Sequence, residues 1–176
     1  MKKLSLIVAT FGMVGLLAAC QKVSKEDVTR LFTQDLATYE TTFHQANPEV
    51  KVSDIEIDFD GKAIKVAVKG QDAERDYETS MTYDGAKILK ERSEKLDRED
   101  KQEAPEVLTN LKELATLTEL ESALKKEAVD IETIESMELG KELGQNIWEV
   151  QTKEGRQEFN YFFNAETAEL IKKERD

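Results

Sequence analysis

Cys20 is the one residue of this 176-residue chain whose chemistry its neighbours specify. It follows Leu17-Ala18-Ala19 and closes an apolar run, Leu4 to Leu16, that opens with Met1-Lys2-Lys3. A thiol at a first mature position is the nucleophile for diacylglyceryl transfer, and the small side chains at 18 and 19 admit a signal peptidase to the bond before it. The pattern predicts a lipoprotein signal peptide over residues 1–19 and lipid attachment at Cys20. A retained transmembrane anchor would need about 20 apolar residues, and this run is shorter. Each buried acyl methylene contributes about 0.8 kcal/mol, so two or three chains on Cys20 would hold the protein on a membrane. Everything downstream is expected to work outside the cytoplasm, on the outer side of the cell membrane.

Other chemistry-bearing side chains are few. Cys20 is the single cysteine, so once it is lipidated neither a disulfide nor cysteine catalysis remains. His44 is the single histidine, which excludes paired-histidine zinc sites and leaves one possible base for a serine triad. It sits at the end of an expected helix, where its ring meets the helix dipole favourably. Glu56-Ile57-Asp58-Phe59-Asp60-Gly61 imitates the start of a calcium loop, but its twelfth position is Ala67, not the bidentate glutamate such a loop needs. The intervening Ile57 and Phe59 suit an amphipathic strand. Acid pairs such as Asp54 with Glu56, or Glu135 with Glu138, could serve acid and base only if one carboxyl were desolvated. In a chain this acidic they read as a solvated face. No catalytic residue, metal or cofactor is expected.

Charge narrows the partners. Loss of residues 1–19 would remove two lysines and no acid, taking the net charge from -12 to -14. Such a surface repels phosphate backbones, so nucleic acid is not an expected ligand, while a cationic partner fits.

An internal repeat sets out the elements. At an offset of 82 residues Val52 falls on Ile134, Ile57 on Leu139, Val66 on Trp148, Tyr77 on Phe159 and Met81 on Phe163, without a gap from Val52 to Lys90. In the first copy Ser24, Glu26 and Asp27 start a helix carrying Val28, Leu31, Phe32, Leu36, Tyr39 and Phe43, and Asn47-Pro48 ends it. Strands then alternate apolar and polar residues. A two-residue turn at Asp60-Gly61 sets Ile57 opposite Ile64, and a turn over Gln71 to Glu74 sets Val68 opposite Tyr77. In the second copy leucines at 108, 111, 114, 117, 120 and 124 recur mostly every third residue, and Thr116 with Glu119 predicts a break and a fresh helix start. A turn over Lys153 to Arg156 then sets Val150 opposite Phe159 and Trp148 opposite Tyr161. The expected fold is α+β, two tandem copies of a helix on a small antiparallel sheet. The expected boundaries are 20–23 for the anchored N-terminus, 24–92 for the first copy, 93–105 for a charged linker and 106–176 for the second.

Trp148, Phe159, Tyr161 and Phe163 should all face the helix as core. Ile147 and Phe162 should instead meet on the outer sheet face, where the first copy has Lys65 and Ser80. These two are the candidate partner-binding patch, for the other copy or for another protein.

Residues 147–171 resemble the end of a PepSY domain. That family reads tyrosine-x-valine, a charged hairpin, alternating aromatics, then Asp-Ala-x-Thr-Gly-Glu-Ile. Here Trp148-Glu149-Val150 and Asn164-Ala165-Glu166-Thr167-Ala168-Glu169-Leu170 take those places, with Asn164 for the aspartate and Ala168 for the glycine. PepSY domains occur in propeptides of thermolysin-like peptidases and in secreted or lipid-anchored bacterial proteins. The resemblance implies a Gram-positive source and a noncatalytic module that binds, restrains or chaperones a protein partner in the cell envelope, such as a secreted peptidase. The alternative is a carrier presenting a small cationic ligand or peptide at the cell surface.

Overall fold

The computed structural model describes residues 23–60, 63–96, 106–108 and 110–175. The signal segment and Cys20 lie outside them. Three helices, α1 (Lys25–Leu31), α2 (Leu36–Ala46) and α3 (Leu117–Lys126), cover one face of a single sheet. Its strands are β1 (Lys51–Phe59), β2 (Ile64–Gln71), β3 (Arg75–Thr82), β4 (Ile88–Lys95), β5 (Ile134–Glu142), β6 (Gln145–Glu154), β7 (Gln157–Asn164) and β8 (Leu170–Arg175). They are antiparallel throughout, in the order β4-β3-β2-β1-β5-β6-β7-β8. The fold is α+β, but the two halves share one eight-stranded sheet, because β1 and β5 pair with each other.

The halves follow one plan. β3 spans 75–82 and β7 spans 157–164, displaced by the 82 residues of the sequence repeat. The bulge between Val52 and Asp54 in β1 recurs between Ile134 and Ser136 in β5, and that between Ser80 and Met81 recurs between Phe162 and Phe163. Ile57 faces Val66 as Leu139 faces Trp148, and Ser80 faces Lys90 as Phe162 faces Lys172.

Alternation makes each strand amphipathic, and the helices seal the apolar side. Ile55, Ile57, Val66, Val68, Met81, Met137, Leu139, Trp148, Val150 and Phe163 are all fully buried there. Each side chain of this size contributes about 1.5–3 kcal/mol on burial. Gly70 allows the closest approach. A Cβ there would lie 2.4 Å from the Lys51 carbonyl oxygen and 2.9 Å from the Phe43 ring, so no larger residue fits.

Caps explain the helix limits. Ser24 accepts a hydrogen bond from the Asp27 N–H, and Thr116 and Glu119 form a reciprocal capping box at the start of α3. The single first helix expected from spacing is broken between Leu31 and Leu36. Asp35 there accepts from the Ala37 N–H and starts α2 anew, while Phe32 stays buried. The freed Phe32 carbonyl accepts from the Thr118 hydroxyl at 2.9 Å, which ties the break to α3.

All three hairpin registers differ from expectation by two residues. Ile57 faces Val66, Val68 faces Thr79 and Val150 faces Tyr161. The β1–β2 loop keeps four residues between Phe59 and Ile64. The last hairpin turns tightly at Gly155-Arg156, where Gly155 takes a φ of 68°. A shift of two leaves every side chain on its expected face. The expected linker is also shorter at its start, since residues 93–95 belong to β4 and Leu96 is buried. The rest of that stretch, 97–105, lies outside the described residues.

Candidate functional site

The face of the sheet away from the helices is open, and its residues are those the core does not require. One row crosses all eight strands through successive paired positions: Lys90, Ser80, Ala67, Glu56, Glu138, Glu149, Phe162 and Lys172. Glu56 and Glu138 are equivalent positions of the two halves, so the local two-fold relation of the sheet passes between them. Three glutamates therefore stand side by side on β1, β5 and β6. Like charges directly opposite one another cost stability, by a few tenths of a kcal/mol up to about 1 kcal/mol per pair.

Only part of this charge is answered locally. Lys69 bonds Glu56 at 2.8 Å. The position equivalent to Lys69 in the second half is Gln151, which carries no charge for Glu138. Partial desolvation, with Asp54 and Glu56 close by, holds the Glu138 carboxyl above the usual carboxylate range despite Lys69. Desolvation and Glu138 raise Glu149 in the same way, and desolvation and Glu56 raise Asp58.

Two hollows lie on this face. One of about 340 Å³ on the first half is lined by Asp54, Asp76, Glu78 and Glu94 but also by Lys69 and Arg92. The other, about 240 Å³ on the second half, is lined by Asp54, Glu138, Glu142, Glu149, Ile147 and Phe162, with Gly140 and Lys141. The Lys141 ammonium donates to the Val107 carbonyl at 3.4 Å.

Ile147 and Phe162 both line that second groove. They sit diagonally rather than directly opposite, since Phe162 faces Glu149 and Ile147 faces Asn164. Phe162 is only 8% exposed, and the Lys172 ammonium lies 4.0 Å from its ring centre. Trp148, Tyr161 and Phe163 are buried under the helices, and Phe159 is half-buried beneath Lys173. His44 ends α2 and holds the Val50 carbonyl at 3.0 Å. The imitation calcium loop is strand β1 with Asp60 ion-paired to Lys65. Of the acid pairs, Glu135 contacts Lys153 at 3.7 Å, while Glu138 belongs to the row. Among the described residues no cluster of histidine, cysteine and carboxylates is gathered as metal ligands, and no helix is long and apolar enough to cross a membrane.

The glutamate row was present in the sequence only as an equivalence, Glu56 on Glu138 at the 82-residue offset. It becomes a site when β1 pairs with β5 and β5 with β6.

Residues 116–174 match the PepSY family, described as the peptidase propeptide and YPEB domain. The matched stretch starts at the capping Thr116 and takes in α3 and β5 to β8. The whole fold resembles the crystal structure of a "putative lipoprotein" from Clostridium difficile 630, with a TM-score of 0.73 and 18% identity, over 89% of this chain and 99% of that one. No curated protein matches the sequence.

Proposed function

We propose that the protein is a lipid-anchored, extracytoplasmic binding module of two PepSY-type units, which holds or restrains a protein partner such as a secreted peptidase. The PepSY match over residues 116–174 carries this reading. The recurrence of strands and bulges at the 82-residue offset supports a second unit of the same kind in the first half. The neighbour from Clostridium difficile, which shares the fold and is described as a "putative lipoprotein", fits the anchor read at Cys20. The module acts by occupying a surface, with no catalytic group of its own.

Two measurements test it. Cys20→Ser should abolish incorporation of labelled palmitate and release the protein from the membrane. The purified chain should lower the activity of a thermolysin-like peptidase from the same cells at stoichiometric amounts, or protect it during refolding. Substrate turnover by the chain itself, or a Cys20→Ser protein still held as firmly on the membrane, would overturn the reading.

A further inference from the structure

We propose that the groove on the second half of the open face receives a basic side chain, lysine or arginine, flanked by an apolar residue on a protein partner. This rests on the binding-module reading and adds where the partner docks and what it presents.

The argument begins with the two halves, whose backbones obey one register. At equivalent outer positions Lys65, Ala67, Lys69 and Ser80 of the first half become Ile147, Glu149, Gln151 and Phe162 of the second. Two cations are lost, one carboxylate is gained and two apolar groups appear, all on the outer side of one strand pair. Folding does not call for these changes, because the first half forms the same strands without them. They leave Glu138 and Glu149 directly opposite each other at a cost in stability.

Charge complementarity identifies the occupant. Asp54, Glu138, Glu142 and Glu149 face the hollow, against Lys141 alone among its lining residues. An ammonium or guanidinium entering there would meet Glu138 and Glu149 together, and charge-assisted hydrogen bonds are the strong ones. Ile147 and Phe162 form the apolar wall along which its methylenes or a neighbouring leucine would lie. The protein already shows half of this geometry, since Lys172 lays its ammonium over the outer side of Phe162. The first-half hollow lacks the property, because Lys69 and Arg92 line it together with its carboxylates.

The test uses the mature chain from residue 20 with Cys20→Ser, which keeps every described residue. The probe is a blocked Leu-Arg-Leu-Arg-Leu peptide, with a citrulline-for-arginine peptide as its uncharged counterpart. At physiological salt the arginine peptide should shift amide resonances around Glu138, Ile147, Glu149 and Phe162 saturably, and the citrulline peptide should not. Glu138→Gln with Glu149→Gln should weaken binding about tenfold, as loss of one or two charge-assisted contacts does. Glu94→Gln, in the first-half hollow, should leave it within about twofold. Shifts spread over the whole acidic surface, equal binding of both peptides, or no effect of the paired substitution would overturn the proposal. So would concentration-dependent shifts at these residues without peptide, which would mark a second copy as the occupant. Photo-crosslinkers at positions 147 and 125 in intact cells separate this from the parent reading. A protein adduct from 125 alone would sink the groove and keep the module, and no adduct from either would sink both.

Discussion

The inner and outer faces of the two halves obey different rules. On the inner face, Ile57 and Leu139, Val68 and Val150, and Met81 and Phe163 are equivalent, and all are fully buried. In these pairs size varies and apolar character does not. On the outer face Glu56 and Glu138 stay alike, but other equivalent residues change character outright, from lysine to isoleucine at 65 and 147 and from serine to phenylalanine at 80 and 162. One backbone plan tolerates both outer surfaces, so the inner face reports what folding needs and the outer face is free to differ between the halves.

The largest test strikes the inner face. Phe163→Ala should cost about 3–5 kcal/mol and its first-half counterpart Met81→Ala about 2–5 kcal/mol, measured by urea unfolding. Both should move one cooperative transition, because β1 and β5 bind the halves into one sheet. Two separated transitions would mean that the halves fold independently. Next come the caps. Thr116→Ala should cost about 1 kcal/mol by removing the capping box, and Asp35→Ala a comparable amount at α2.

Outer-face substitutions should differ in sign. Glu138→Gln should stabilise by a few tenths of a kcal/mol because it relieves Glu56 and Glu149, while Glu56→Gln should give less or slightly destabilise, since it strands Lys69. Equal effects from the two would erase the difference between the halves at their shared centre.

The smallest effect is in the pH profile. Glu138, Glu149 and Asp58 have raised folded-state pKa values, so the native state takes up protons before the unfolded chain does. Their contribution makes stability rise as pH falls through the folded values, and the gain is complete below the unfolded ones. Asp72 is lowered by the Glu74 N–H and the Tyr77 hydroxyl, Asp84 by the Thr82 hydroxyl and Glu119 by Thr116. Their stabilisation holds above the unfolded values and is lost as pH falls through the folded ones. Urea midpoints should therefore peak on the acid side of neutrality, and Glu138→Gln with Glu149→Gln should flatten the rise. A slope unchanged in that variant would place the protons elsewhere.

The sequence made the sheet's inner face legible because a strand's side chains alternate with period two. The same period hid the hairpin registers, since a slip of two keeps Val150 and Tyr161 inward as surely as Val150 and Phe159. The break between α1 and α2 was masked by Leu36 falling four residues after Phe32, as in a continuous helix, although Asp35 is a strong cap. At Thr116 the cap and the drifting leucine spacing agreed, and the break stands where both place it. The glutamate row could not be read from the chain. It depends on two edge strands about 80 residues apart finding each other, and no local pattern near Glu56 or Glu138 encodes that meeting.

Joining the halves through β1 and β5 has a consequence at the far borders of the sheet. Both free edges are fourth strands, β4 and β8, and each has an exposed apolar residue in second place, Leu89 or Ile171, before running into charges at Lys90-Glu91-Arg92 or Lys172-Lys173-Glu174. A neighbouring molecule adding a strand there would have to strip water from those lysines and arginines, and such edges resist ribbon growth. The protein can in this way present a broad open sheet face without adding strands along its borders.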